Sequence, residues 1–234
     1  MSRIIALEMH LHSIGSKDSL MQPQRIAEVA IKKHIDKLFV TDHNETSVAE
    51  WMQDKYPDRI MVGEEILTTK GEIIAYFVTK KIPKGLEPAD AIRLLKNQNA
   101  FISVSHPYDR QRRGWEEKDL LRILPDIDAI EVFNSRCLSN GMNRSAALLA
   151  KEKQLLSTAG SDAHIYYEIG TSLVHLPDFR DTDGLRKSLE SATFETRLSP
   201  PWVHFGSRWA AYSKKLGFVD KNVSWLTNDK VGIK

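Results

Sequence analysis

The stretch IIALEMHLH, residues 4–12, joins a short apolar segment directly to a His-x-His pair. Its opening Ile-Ile-Ala-Leu run is typical of a strand that is buried on both faces. Further apolar runs of four to eight residues follow along the chain, and each is rich in Ile, Val, Leu or Phe. The predicted strands lie at residues 4–7, 38–41, 60–66, 73–78, 101–104, 129–133, 155–159 and 173–176.

Helical patterns lie between many of these strands. They cover residues 26–33, 88–95, 120–124 and 143–153, and a proline stands near the start of the first two. Strands that alternate with helices predict a parallel sheet with helices outside it. The 234 residues fit one α/β barrel as well as two small domains. The repeated alternation favours a barrel or barrel-like closure over an open sheet.

The composition changes after residue 198, where a Pro-Pro pair precedes Trp202, Phe205 and Trp209 and then a polar tail. We therefore predict a barrel domain at residues 1–198 and a C-terminal appendage at residues 199–234 that packs on the barrel. Aromatic residues in such a segment are more often packing residues than parts of a site. The same interpretation is given to His204, and also to Cys137 and Trp115 within the barrel.

Charge and cysteine content exclude several classes of protein. The 33 basic and 31 acidic residues leave a net charge of +2, which gives no global argument for a nucleic-acid partner. A single cysteine, Cys137, forms no internal disulfide and excludes a cysteine-rich zinc module. No run approaches the roughly 20 apolar residues of a membrane span. We expect a cytoplasmic protein with no membrane partner, and the sequence leaves its oligomeric state open.

The histidines supply the strongest functional signal. Five of the eight follow predicted strands, and most have an acidic neighbour: they are His10, His12, His43, His106 and His164. In parallel α/β folds, catalytic residues collect at the carboxyl ends of the strands. Side chains two residues apart on a strand point the same way, so His10 can converge with His12, and Asp162 with His164. Imidazole with carboxylate, and without thiolate, suits zinc, manganese or iron.

Six ordered motifs contain these residues. They are EMHLHS at 8–13, TDHN at 41–44, GEEI at 63–66, SHP at 105–107, IEVFN at 130–134 and GSDAH at 160–164. In order and approximate spacing they resemble the motifs of the polymerase-and-histidinol-phosphatase (PHP) family of metal-dependent phosphoesterases. The resemblance extends from about residue 4 to residue 176.

This resemblance implies a distorted seven-stranded (β/α) barrel of the PHP type that holds two or three divalent ions, of manganese, zinc or iron. Glu8 stands where the family more often has Asp. Asn134 stands where some members have His, and an amide oxygen is the weaker ligand. The Gly-x-Glu pattern selects Glu65 over Glu64 as the bridging carboxylate. The implied ligands are His10, His12, Asp18, His43, Glu65, His106, Asn134, Asp162 and His164.

A cluster of this composition keeps a net positive charge, attracts anions and lowers the pKa of a bound water. We therefore predict hydrolysis of a phosphoester by metal-activated hydroxide, with His106, His164 and Asp162 as catalytic residues, either histidine serving as the acid. Guanidinium groups match phosphate oxygens bidentately. The arginines that follow the motifs are the predicted substrate-binding residues: Arg110, Arg112, Arg113, Arg136 and Arg144.

The predicted substrate is a small phosphorylated molecule, most readily a nucleotide or a nucleoside bisphosphate. Four alternatives stay open. A 3′-5′ exonuclease would act on short oligonucleotides, and a histidinol-phosphate-type phosphatase is usually a longer protein with larger loops. An amidohydrolase barrel would require a metal-bridging lysine at a middle strand end, where this sequence has Glu65 and His106. A non-catalytic metal-binding module would have lost ligands.

Overall fold

One mixed sheet forms the centre of the protein in the computed structural model, which describes residues 3–219. The final fifteen residues of the predicted appendage, 220–234, lie outside the described residues. The nine strands of the sheet are β1 (Ile4–Glu8), β2 (Lys37–Val40), β3 (Ile60–Leu67), β4 (Glu72–Tyr76), β5 (Phe101–Val104), β6 (Ala129–Asn134), β7 (Leu156–Gly160), β8 (Ser172–Pro177) and β9 (Thr193–Thr196).

The helices cover the outside of this sheet, and their first residues explain where several of them begin. A proline opens both α1 and α3, where its fixed φ suits the first turn. Asp181 caps α6 by accepting the backbone N–H of Gly184 at 2.8 Å. The helices are α1 (Pro23–Lys32), α2 (Ser47–Lys55), α3 (Pro88–Lys96), α4 (Glu117–Ile123), α5 (Asn140–Lys153), α6 (Thr182–Leu189) and α7 (Val203–Lys215).

The strand order is β7-β6-β5-β4-β3-β2-β1-β8-β9. Strands β1 to β3 are parallel, as are β5 to β7, whereas β4, β8 and β9 run antiparallel to their neighbours. The chain just beyond β1 meets the chain just beyond β7 through a bridge between Leu11 and Ala163. The Asp162 N–H also donates to the His10 carbonyl at 2.7 Å. These contacts nearly close the sheet into a barrel and bring the ends of β1 and β7 together.

The barrel predicted from the sequence is thus confirmed, but the strict alternation of strand and helix is not. β3 and β4 form a hairpin instead, in which the Thr68 N–H donates to the Gly71 carbonyl at 2.9 Å. The sheet is therefore mixed and not fully parallel. Four elements were absent from the predictions: α2, α6, α7 and β9. β9 is exposed along its whole length, so it carries no apolar run to reveal it.

The described part of the appendage contacts the barrel along α7. The Lys214 ammonium donates to the carbonyl of Ile14 at 2.6 Å and also to that of Ser16. Near the other end of the helix, a Cβ at Gly206 would lie 2.7 Å from Ile165, so only glycine permits this approach. The domain boundary at residue 198 stays a prediction. None of the helices among residues 3–219 is long and apolar enough to cross a membrane.

Candidate metal centre

The predicted ligands converge at the barrel edge where β1, β2, β3, β5 and β7 end. Potential donor atoms form three groups, and the atoms within each group lie within 4.8 Å of one another. The first group is His10-His12-Asp162, the second is Glu65-Glu72-His106 and the third is His12-His43-His164. His12 belongs to two of them, and its Nε2 lies 3.4 Å from Oε2 of Glu65 in the remaining one, so the three groups form one continuous cluster.

The first group joins the ends of β1 and β7. Asp162 Oδ1 lies 3.5 Å from His10 Nε2 and 3.1 Å from His12 Nε2. Glu65 Oε2 faces the same two nitrogens at 3.5 and 3.4 Å. The other ring nitrogen of His10 contacts Glu131 Oε1 at 2.8 Å, which fixes the ring with Nε2 towards the cluster. Glu131 was quoted within a motif but given no role by the sequence.

The second group includes a carboxylate that the sequence analysis missed. His106 Nε2 lies 3.1 Å from Glu65 Oε1 and 3.7 Å from Glu72 Oε2. Glu72 begins antiparallel β4 and pairs with Leu67 at the end of β3. The start of an antiparallel strand lies at the same edge as the carboxyl ends of its parallel neighbours. A search restricted to carboxyl ends therefore passes over Glu72.

The third group lies beside the loop that follows β1. Asp18 Oδ1 lies 3.6 Å from His43 Nε2 and 3.5 Å from His164 Nε2. The rings of His12 and His43 are stacked with their centres 4.3 Å apart. His12 Nδ1 contacts the Ser16 hydroxyl at 3.0 Å, and that hydroxyl donates to Asp42 at 2.6 Å. The predicted residue Asp18 thus joins the cluster.

Buried opposite charges set the protonation of the cluster. Burial opposes a charged His10, but Asp162, Glu131 and Glu65 outweigh it and raise the pKa of His10 well above its usual value. Burial likewise opposes ionisation of Glu65, yet His10 and His43 hold the pKa of Glu65 well below its usual range. Burial, with Glu65 next to it, raises the pKa of Glu72 to about 7. Glu65 is therefore charged at neutral pH.

The donor set fits divalent cations. Glu65 Oε2 and Asp18 Oδ1 are buried and have no hydrogen-bond partner within residues 3–219, although histidine nitrogens surround them at 3.0–3.6 Å. Unpaired buried carboxylate oxygens that face imidazole nitrogens are the arrangement that a shared cation satisfies. The donors are imidazole and carboxylate, as Zn²⁺, Mn²⁺ and Fe²⁺ accept.

Asn134, a predicted ligand, belongs to none of the three groups. Its amide oxygen accepts hydrogen bonds from the Arg112 guanidinium at 3.1 Å and from the Arg136 N–H at 3.0 Å. Its amide nitrogen donates to Glu131 at 3.1 Å and to Asp162 at 3.2 Å. Both ends of the amide are engaged, so Asn134 orients its neighbours in this structure, and its predicted role as a ligand stays a prediction. The carboxylate next to His106, besides Glu65, is Glu72.

Glu64 and Glu8 lie outside the cluster. The Glu64 side chain accepts the N–H of Ile82 at 2.9 Å, in agreement with the choice of Glu65 as the bridging carboxylate. Glu8 accepts the backbone N–H groups of Ser161 and Gly170, each at 3.0 Å. Burial raises the pKa of Glu8 to about 7. Glu8 therefore ties the strand that carries His10 to the segment after β7.

The five predicted arginines have different surroundings. Arg112 forms an ion pair with Asp162, and its Nε donates to Asp109 at 2.8 Å. Arg113 lines the same cleft. Arg136 also lines it but is 3% exposed, and its Nε lies 3.3 Å from the buried Glu168. Arg110 and Arg144 are exposed and do not line the cleft, so the geometry does not support the predicted role for these two.

The cleft above the cluster has a volume of about 600 Å³, and the C-terminal segment forms one wall. Trp202, Phe205 and Arg208 belong to this wall, together with His204. Burial and the nearby Arg136 lower the pKa of His204 to about 4, so this ring is neutral at pH 7. Both His204 and Trp202 were interpreted as packing residues. No motif marks them, and only the packing of α7 brings them to the site.

Comparisons with known proteins agree with this arrangement. The PHP-associated family matches residues 140–194. The uncharacterized protein MJ0417 of Methanocaldococcus jannaschii is 33% identical over 175 residues, covering 72% of this chain and 69% of that protein. The chain belongs to the PHP family. A second M. jannaschii protein, uncharacterized protein MJ1587, is 35% identical over 143 residues, covering 55% of this chain and 81% of that protein.

Two solved structures share this PHP fold. A two-domain protein from Bacteroides vulgatus, containing a predicted PHP-like metal-dependent phosphoesterase, matches with a TM-score of 0.67 and 18% identity. The match covers 89% of this chain and 70% of that one. The lesion-specific endonuclease PfuEndoQ from Pyrococcus furiosus gives a TM-score of 0.59 at 15% identity, covering 82% and 58%. Both matches support the PHP-type barrel that the sequence motifs predict.

Proposed function

We propose that the protein is a metal-dependent phosphoric ester hydrolase. The observation that carries this proposal is the position of Glu65, whose two oxygens face separate groups of donors at the base of an arginine-lined cleft. A carboxylate with this position can bridge two cations. Divalent ions held there would supply Lewis acidity towards phosphate oxygens and would lower the pKa of a bound water.

The chain's own residues bind and orient the substrate in this reaction. Arg112 is held by Asp162 and Asp109, so its guanidinium is already positioned at the cleft and loses little side-chain entropy on binding. Arg113 adds a second cation at the mouth of the cleft. In hydrolysis, a water oxygen forms the new bond to phosphorus, the bond to the leaving oxygen breaks, and that oxygen takes up a proton. The predicted roles of His106, His164 and Asp162 in these proton transfers stay predictions.

A nucleotide is the substrate class that fits this cleft. Its volume of about 600 Å³ lies within the range of small-molecule sites. Trp202 and Phe205 offer flat aromatic faces in the same wall as Arg208, so a base and a phosphate would both have partners. The sequence analysis names a nucleotide or a nucleoside bisphosphate, and the proposal includes both.

A phosphate-release screen tests the proposal. The purified protein, stripped with chelator and reloaded with Mn²⁺ or Zn²⁺, is assayed on p-nitrophenyl phosphate, bis-p-nitrophenyl phosphate, nucleotides and nucleoside bisphosphates. We expect turnover that chelator abolishes and metal restores, and that His10→Ala removes together with bound metal. Leu148→Ala, at an exposed position of α5, is the matched control and keeps parental activity. Bound metal without turnover of any ester would establish the non-catalytic module instead.

A further inference from the structure

Helix α7 forms a wall of two cavities that meet at the metal centre. His204, Phe205, Ser207 and Arg208 of this helix line the cleft described above, together with Pro201 and Trp202 just before it. Ala211, Lys214 and Lys215 line a second cavity of about 850 Å³. His43 and Glu72, which both belong to the donor groups, each line both cavities. A phosphomonoester needs room on one side of the cluster only. Room on both sides fits a phosphodiester whose chain continues in each direction.

The outer face of α7 carries a row of exposed aromatic side chains. Trp202, Phe205, Trp209 and Tyr212 are 50–69% exposed and lie three or four residues apart, so they share one face of the helix. The rings of Trp209 and Tyr212 are 6.3 Å apart. The row begins at the wall of the cleft with Trp202 and Phe205 and continues beyond it with the other two.

The helix is held firmly in this position. Arg136 donates to the Ser207 hydroxyl at 2.8 Å near its start, and Lys214 donates to the Ile14 carbonyl at 2.6 Å near its end. Val203 and Ala210 are buried on the inner face. The backbone that carries the aromatic row is thus fixed, so only the exposed side chains themselves would have to be ordered when a ligand binds.

The charge around the row is basic. Residues 199–219 contain Arg208, Lys214 and Lys215 and no aspartate or glutamate. Lys17 and Lys84 line the second cavity. Sequence-tolerant binding of single strands combines a basic path for the phosphates with aromatic rings on which bases stack. A second protein chain would need an apolar face, whereas this helix also carries the exposed cations Arg208 and Lys215.

We propose that the aromatic row of α7 binds a single-stranded polynucleotide, which passes the metal centre and stacks its bases on Trp202, Phe205, Trp209 and Tyr212. The inference deepens the proposed phosphoesterase function by naming its substrate class as a polynucleotide chain. The proposed surface extends beyond a mononucleotide site, because Trp209 and Tyr212 are not among the residues that line either cavity. Only a ligand longer than one nucleotide reaches them.

Fluorescence anisotropy with the metal-loaded full chain tests this inference. The probes are fluorescein-labelled thymidine oligomers of 3, 6 and 12 nucleotides with phosphorothioate linkages, and gels verify that they remain intact. Affinity should rise at least about tenfold from the 3-mer to the 12-mer. Trp209→Leu, which keeps an apolar side chain without a π face, should weaken 12-mer binding at least about fivefold, whereas Trp209→Phe stays within about twofold. Leu148→Ala is the control.

The outcomes separate this inference from the proposed function. Turnover of bis-p-nitrophenyl phosphate without length-dependent oligomer binding overturns the stacking surface and leaves the phosphoesterase intact. Oligomer binding that depends on Trp209 without turnover of any ester supports the surface and overturns the enzyme. A dimer, detected by sedimentation, that Trp209→Leu dissociates with oligomer binding unchanged would assign the row to a second copy of the chain and overturn the inference. Binding to anionic vesicles that depends on Trp209, without any oligomer binding, would also overturn the inference.

Discussion

Replacing Arg136 by methionine should destabilise the protein more than it impairs substrate binding. The guanidinium is 3% exposed, lies 3.3 Å from Glu168 and donates to Ser207 at 2.8 Å. Arg136→Met leaves the fully buried Glu168 without its countercharge. Breaking a buried ion pair from one side costs about 3–5 kcal/mol in the free energy of unfolding. For a chain of this length the melting temperature should fall by about 6–20 °C.

The pH dependence of this loss follows from the pKa of Glu168. Burial raises that pKa above its ordinary value of 4.5, and Arg136 opposes the rise, so the variant raises it further. Below the pKa that Glu168 has in the unfolded chain, its carboxyl is protonated in both states, and the destabilisation caused by its buried charge disappears. As the pH rises, Glu168 ionises in the unfolded chain but stays protonated in the folded chain. Stability is therefore lost until the pH exceeds the pKa of Glu168 in the folded chain. The deficit relative to the parent protein should therefore grow from pH 5 to pH 8.

Urea unfolding of the chelated protein, followed by circular dichroism, measures these differences. Arg136→Met/Glu168→Gln removes both charges and should recover much of the loss. Arg144→Met alters another predicted phosphate-binding arginine, exposed on α5, and should change stability by less than about 0.5 kcal/mol. A deficit of equal size at pH 5 and pH 8, or a double variant as unstable as the single one, would refute this account of Arg136.

Three further changes test the centre and its surroundings. Glu72→Gln should weaken metal binding by roughly 10–100-fold while the protein stays folded. In the parent protein, metal affinity should increase as the pH rises through about 7, because Glu72 ionises there. Equal metal content of the two proteins by mass spectrometry would contradict this role of Glu72. Gly160→Ala would place a Cβ 2.2 Å from the Cβ of His10 and should abolish metal binding, whereas Gly141→Ala, with its nearest atom at 3.5 Å, should be tolerated. Burial raises the pKa of the Cys137 thiol to about 12, so Ellman's reagent at pH 8 should label this cysteine only after the protein unfolds. Rapid labelling of the folded protein would instead show an accessible thiolate.

The strand ends were predictable because a motif fixes both the residue type and the position in a strand. His10 and His12 follow an apolar run, so the alternation of a strand settles that both face one side. The order of the motifs then brings distant residues such as Asp162 into one predicted cluster. The fold class and the donor chemistry therefore follow from local patterns, whereas the full ligand set follows from the resemblance of the ordered motifs.

The remaining features depend on tertiary contacts that leave no local pattern. Glu72 joins the cluster because β4 runs antiparallel, and strand direction is a property of the whole sheet. The amide oxygen of Asn134 accepts a hydrogen bond from Arg112, which lies in a different loop. The wall formed by α7 depends on a buried arginine, Arg136, that the sequence marked for phosphate. In each case a partner far away in the chain decides between roles that the residue type permits.

Glu131 explains how the centre holds its ligands in conformations that the backbone disfavours. His106 and Asp162 have φ values of 24° and 54°, in the left-handed region that costs a non-glycine residue about 1–3 kcal/mol. The Glu131 carboxylate contacts His10 Nδ1 at 2.8 Å and accepts the His106 N–H at 2.8 Å and the Asn134 amide at 3.1 Å. Asn134 in turn donates to Asp162 at 3.2 Å. One buried carboxylate thus restrains ligands from three strand ends, so the strain is carried by the folded scaffold and the donors are oriented before any cation binds.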